Sequence, residues 1–176
     1  MLLELTGTQM GQVKEKSYLL KNSTSATIRT VKESDAQAYL NLGKSIMAEE
    51  IYSLTQAFEL DLTVEQERQW LKINIENDNH LIIVAEVNGM VVGQLDFSNG
   101  HRQRISHTGE FGMGVHKTFR GLGIGGLLVQ TLMDWAKDSP QIEKINLSVH
   151  QTNDRAIAMY KKYGFQIEGV RTRDLK

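Results

Sequence analysis

Residues 115–126 read VHKTFRGLGIGG, and the fold turns on them. Val115 lies near the end of an extended stretch, Thr108–His116. Ile124 opens a helical pattern in which Ile124, Leu127, Leu128, Leu132, Trp135 and Ala136 recur at spacings of three and four. A strand therefore feeds directly into a helix, and Gly121, Gly123, Gly125 and Gly126 crowd the junction. Each glycine inside a helix costs about 1 kcal/mol against alanine, so helix formation does not explain the cluster. Glycine does permit close approach to the backbone. The first-turn N–H groups of a helix are also free, and they lie at the positive end of its dipole, which suits a phosphate. Arg120 stands at the mouth of this loop and can add a charge-assisted bond. The competing reading is a tight strand–helix turn with no ligand.

Outward from this junction the chain reads as mixed layers of strand and helix. Upstream, Leu81–Ala85 is a short β-branched run, Asn88-Gly89 is a hairpin signal, and Met90–Ser98 is the partner strand. Gly100–His107 is a basic loop. Earlier still, Glu15–Lys21 and Ala26–Val31 read as strands around a polar turn. Ser34 with Gln37, and Thr63 with Gln66, have capping-box spacing and predict two helix starts. Trp70, Ile73 and Glu67 are expected on or beside the inner face of the second helix. Downstream, Ile145, Leu147 and Val149 alternate as a half-buried strand. Asn153 caps a helix through Ala156, Met159 and Tyr160 that Gly164 closes, and Phe165–Arg171 predicts a last strand.

Composition narrows the function. The chain has 176 residues, no Cys and a formal net charge of −1, so disulfides, thiolate zinc sites, cysteine nucleophiles and general nucleic-acid binding find no support. No apolar run reaches the ~20 residues of a membrane span, and the amino terminus lacks secretory features, which predicts a cytoplasmic protein. No cluster of residues has metal-ligand spacing. Charge is divided: residues 1–100 carry 8 Lys and Arg against 14 Asp and Glu, while residues 101–176 carry 12 against 7. An anionic ligand is drawn to the second half and a cationic one to the first. Residues 33–78 alone hold 10 acids and 3 bases.

The phosphate ligand is narrowed by what the loop lacks. Gly125-Gly126-Leu127 replaces the Gly-Lys-Ser/Thr of a Walker A loop. Gly121 to Gly126 fits a G-x-G-x-x-G frame, but Glu143, the candidate ribose acid, opens its strand instead of closing it. A nucleotide-binding module stays open at this point.

Two motifs in order resemble the GCN5-related N-acetyltransferases. Arg120-Gly121-Leu122-Gly123-Ile124-Gly125 matches the family's Arg/Gln-x-x-Gly-x-Gly/Ala signature. Asn153, Ala156, Tyr160, Gly164 and Phe165 match its Asn-x-x-Ala-x-x-x-Tyr and Gly-Phe segment. The resemblance covers approximately residues 25–175. It implies an α/β fold (an α+β mixed sheet), splayed and flanked by helices, with acyl-CoA between the two central parallel strands. One domain over 15–176 would follow an extension, 1–14, and a final C-terminal strand would be missing; a second copy of the chain, as a homodimer, could supply that edge. The implied activity is acetyl transfer from acetyl-CoA to a small cationic, polyamine-like or peptide amine, without metal, nucleic acid or membrane. The alternative is a non-catalytic acyl-CoA-binding or regulatory module.

The same resemblance assigns roles. Backbone N–H groups of Gly121, Leu122, Gly123, Ile124, Gly125 and Gly126, with Arg120, would hold the pyrophosphate. Main chain at Met113 and Val115 would pair with the pantetheine arm, Asn153 would bond it or order its loop, and Tyr160 would protonate the leaving thiolate. On residue pattern alone Tyr160 also fits a packed core position, and Asn153 a plain cap. Amine attack calls for a base, and Glu110 resembles an acid of amine-acetylating relatives; Glu49 and Glu50 are the substrate-side alternatives. An exposed strand-end charge explains Glu110 equally well. His107 and His116 could titrate usefully but read more simply as surface or capping residues.

Overall fold

The computed structural model describes residues 11–49, 52, 53, 55, 57–59, 61–78 and 80–172. Six strands lie in sequence order across one sheet: β1 (Lys16–Leu19), β2 (Ser25–Thr30), β3 (His80–Val87), β4 (Met90–Asn99), β5 (Thr108–Val115) and β6 (Lys144–Asn146). Neighbours are antiparallel except β5 and β6, which are parallel and joined through helix α3 (Ile124–Asp138). Helices α1 (Ala36–Met47) and α2 (Val64–Ile75) cover one face. Helix α3 and α4 (Asp154–Lys162) cover the other.

This two-sided cover explains the apolar run in β3. Successive side chains point to opposite faces, so Leu81, Ile83 and Ala85 pack with Leu128 and Leu132, while Ile82 and Val84 pack with Tyr39 and Leu71. The Asn88-Gly89 turn forms as read, with φ of 50° and 77°, the left-handed pair that a two-residue hairpin needs. Thr63 and Gln66 form their capping box: Gln66 N–H donates to Thr63 Oγ1 at 3.2 Å, and Thr63 N–H to Gln66 Oε1 at 2.8 Å.

Four local expectations differ from the structure. Ser34 and Gln37 do not cap α1, because Asp35 Oδ2 already accepts the Lys32 N–H at 2.7 Å and draws residues 33–35 into a short turn. The inner face of α2 is Glu67, Leu71 and Asn74, leaving Trp70 at 40% and Ile73 at 65% exposure. Ladder pairing of β6 stops at Asn146, so Leu147 and Val149 lie beyond the strand. Phe165–Arg171 forms no strand among the described residues. Phe165 docks on Phe111 and Tyr160, while Ile167 and Val170 stay exposed. Within the described sheet β6 is therefore one edge strand, and β1 is the other.

Candidate active site

The site begins where two parallel strands part. β5 and β6 pair at Thr108–Lys144, Gly109–Ile145 and Glu110–Asn146, and no further. On the opposite edge β5 stays paired with β4 along its whole length. Thr108 C=O accepts from Gly100 N–H at 3.0 Å and His116 N–H donates to Val92 C=O at 2.9 Å, so even-numbered residues of β5 bond toward β4. By the alternation of an extended chain, the N–H and C=O of Phe111, Met113 and Val115 face the widening gap. Val115 C=O is taken by Arg120 Nε at 2.9 Å. Phe111 N–H closes the last rung of the β5–β6 ladder on Asn146 C=O. The Phe111 C=O, both groups of Met113 and the Val115 N–H are then the ones with no strand to pair with among the described residues. A row of free main-chain groups in a cleft is a template for an extended ligand.

The gap leads into the glycine loop, where the glycines divide into two kinds. Gly121 and Gly123 have φ of 87° and 103°, a left-handed backbone that costs most residues roughly 1–2 kcal/mol. Nothing lies within 4 Å of a Cβ built on Gly123, so the N-terminus of α3 is open there. Gly125 and Gly126 serve packing instead: a Cβ on Gly125 would meet Met113 Cε at 2.9 Å, and one on Gly126 would meet Tyr163 Oη at 2.7 Å. Leu122 C=O accepts the Lys21 N–H at 3.4 Å, tying the loop to the β1–β2 turn. Ile124 is buried and anchors the helix start.

Arg120 is committed elsewhere than its sequence position indicates. Its Nη1 and Nη2 both donate to the Glu49 carboxylate at 2.7 Å, a bidentate pair that bridges the end of α1 and the loop. The hydrogen bonds from Arg120 hold the Glu49 carboxyl below the ordinary glutamate value. Glu50 lies outside the described residues. A second cation, which the sequence reading missed, is Arg155: its Nη2 stands 3.7 Å from a Cβ built on Gly121. Nothing in its position in the first turn of α4 marks it in the sequence.

On the α3–α4 side, Asn153 Oδ1 accepts the Ala156 N–H at 3.2 Å, so its cap role is realised. Tyr160 stacks edge-on to Phe111 and Phe165, each at 5.8 Å between ring centroids. Burial pushes its phenol up to about 12, so it stays protonated and able to donate, and its hydroxyl has no partner among the described residues.

The opposite face of β5 holds the carboxylates. Glu110 is exposed and accepts a hydrogen bond from Ser148 Oγ at 3.1 Å. Further along, Asp96 on β4 sits in register with Gly112, its Oδ2 3.6 Å from a Cβ built there. Asp96 and Gln94 border a cavity of about 220 Å³ whose other walls include Tyr39, Met47, Glu67 and Trp70. Burial raises Asp96 to about 6 and raises Glu67 above its ordinary value. Sequence reading placed Glu67 near an inner face but missed Asp96 and the cavity. Among the described residues, no three or more His, Cys, Asp or Glu side chains gather as a metal site. No described helix is long and apolar enough to cross a membrane.

Comparison with known proteins agrees with this geometry. Residues 47–165 match the family model described as the acetyltransferase (GNAT) family. An L-amino acid N-acetyltransferase, AaaT, of Escherichia coli (strain K12) is 35% identical over 88 residues, 50% of this chain and 54% of that protein. An acetyltransferase of Pectobacterium atrosepticum is 37% identical over 95 residues, 52% of this chain and 62% of its own. The chain thus spans between half and two thirds of the length of these curated relatives. A solved acetyltransferase of the GNAT family from Streptococcus pneumoniae superposes with a TM-score of 0.82 at 26% identity, covering 86% of this chain and 90% of that one.

Proposed function

The chain belongs to the acetyltransferase (GNAT) family, and we propose that it moves an acetyl group from acetyl-CoA to a primary amine by direct attack within a ternary complex. The observation that carries the proposal is the parting of β5 and β6 beyond Glu110 and Asn146, with unpaired main chain at the Phe111 C=O, Met113 and the Val115 N–H leading to the open amides at Gly123. These residues fit a thioester with a diphosphate handle. A row of donors and acceptors suits the amide-bearing pantetheine arm, and a helix start with two nearby cations suits the diphosphate. Acetyl-CoA supplies an activated acyl group on a thiol leaving group.

Each residue then has a task. The amides of Gly121–Gly126 receive the diphosphate, with Arg155 and Arg120 beside them. Met113 N–H, directed into the gap, steadies the thioester oxygen as charge grows on it. Tyr160, uncharged and buried, donates to the departing sulfur. Glu110 takes the proton of the amine through water. Glu49 is a weaker candidate base, since Arg120 holds its proton affinity down. Asn153 orders the start of α4 beside the loop. The new bond joins amine nitrogen to acyl carbon, the C–S bond breaks, and the thiol leaves with a proton. No acyl-enzyme is needed, and the chain has no cysteine to form one.

Small cationic amines, polyamines and peptide amines are the acceptor classes the acidic half favours, and the name of the E. coli relative adds amino acids. The test is release of free thiol from acetyl-CoA across these four classes, with calorimetry on the folded protein. Amine-dependent thiol release is expected. Absence of binding by any coenzyme A derivative would overturn the proposal, whereas binding without release would leave an acyl-CoA-binding module.

A further inference from the structure

The cavity between α1, α2 and β4 has a composition that selects a ligand. Its polar groups are the carboxylates of Glu67 and Asp96, the amide of Gln94 and the Tyr39 hydroxyl, and no lysine, arginine or histidine lines it. Glu67 is only 5% exposed, yet its carboxylate has no hydrogen-bond or ionic partner among the described residues. Gln94 Oε1 is also buried without a partner. Three acceptors with no cation among them are costly to bury, and a donor-rich cation offsets that cost. The rest of the wall is aliphatic or aromatic: Leu40, Met47, Leu62 and Trp70, whose indole N–H is its one polar atom, with the Tyr39 ring 6.3 Å from Trp70.

We propose that this cavity is the acceptor pocket, and that Glu67 and Asp96 hold the ammonium of an amine with an apolar body and no carboxylate beside its nitrogen. The proposal rests on the acetyl-transfer reading and deepens it by naming the substrate class. Position supports it, because Asp96 Oδ2 lies against Gly112 of β5, next to Met113, whose main chain faces the gap between the strands. Size supports it too. A cavity of about 150 Å³ accepts benzene, so about 220 Å³ accommodates a benzene-sized group with a short aminoalkyl arm. A free α-amino acid would bring its own carboxylate against Glu67 and Asp96 with no arginine or lysine to receive it. Electrostatic repulsion of that kind excludes a ligand more effectively than a loose fit does.

The experiment compares phenethylamine with L-phenylalanine, which differ by that carboxylate alone. Thermal shift of the full chain reports binding of each amine without coenzyme A, and thiol release from acetyl-CoA reports turnover. Phenethylamine should raise the melting temperature and be used at least 10-fold more efficiently than phenylalanine. Glu67→Gln should raise KM for phenethylamine about 10-fold while leaving calorimetric acetyl-CoA affinity unchanged. That variant is isosteric and removes a buried charge, and circular dichroism checks its fold; Asp96→Asn gives a second test of the same kind. Equal use of the two amines, or unchanged KM in both folded variants, would overturn the proposal. Acetyl-CoA binding with no thermal shift from phenethylamine would overturn it and leave the acetyl-transfer reading standing. Loss of acetyl-CoA binding in the unaltered protein would instead sink that earlier reading.

Discussion

Asp96→Asn should make the folded protein more stable at pH 8 and change it little at pH 4. Burial raises the Asp96 carboxyl from 3.8 to about 6, since the ionised form is poorly solvated between β4 and α1. A group whose folded pKa is raised binds its proton more tightly when folded. Stability therefore rises as pH falls through about 6 toward 3.8, and the ionised form opposes folding above that window. The shift of roughly two units corresponds to about 3 kcal/mol at pH 8, at ~1.4 kcal/mol per unit, and to about 0.5 kcal/mol at pH 4. Asparagine keeps the shape and removes the charge, so the variant should gain most of that difference. For a chain of this size the melting temperature should rise by about 6–10 °C at pH 8. Urea unfolding of both proteins at pH 8, 6 and 4 measures it. A variant less stable than the parent at pH 8, or a difference that does not vary with pH, would refute the reasoning: stabilisation of the ionised form, to which the Asp96 backbone N–H already contributes, would then outweigh the cost of burial.

The other predictions address the loop, the leaving group and the scaffold. Tyr160→Phe should lower kcat by about 100-fold with acetyl-CoA affinity held, because a phenol at about 12 is a donor and the ring packing on Phe111 and Phe165 survives; equal kcat in stopped thiol-release assays would remove the acid role. Glu49→Gln should free Arg120 from its bidentate partner and tighten acetyl-CoA binding several-fold by calorimetry, more so at low salt; weaker binding would mean that the pair orders the loop. Arg29→Met should cost about 3–5 kcal/mol at pH 7 by denaturant unfolding, because Asp35 at 2.6 Å and Glu86 at 2.8 Å would lose their shared cation. Burial alone would raise Asp35, but hydrogen bonds from Arg29 and Lys32 hold it below 3.8, so in the parent this contribution is present above that value and lost in more acidic solution. The gap between parent and Arg29→Met should accordingly close below about pH 4.

What the sequence discloses is what is local. Glycines at Gly121 and Gly123, a helix of regular period after them and the capping box at Thr63 each involve neighbours within a turn, and each forms as read. The bond between Glu49 and Arg120 spans 71 residues, and neither residue carries a mark of the other. Arg155 comes beside Gly121 only because α4 packs near the start of α3. The deeper reason appears in β4. There Gln94 and Asp96 alternate with Gly93, Leu95 and Phe97 in the polar–apolar rhythm of a strand with one face in water. The same rhythm arises when a helix layer covers the polar face and leaves a cavity beneath it. Periodicity reports which side chains share a face, and it is silent on what lies opposite. Only the placement of α1 and α2 over that face turns Asp96 from a solvated acid into a buried one with a raised proton affinity, and with Glu67 from α2 it becomes half of a site. A buried carboxylate with no cation beside it is therefore visible in the fold and invisible in the strand that carries it.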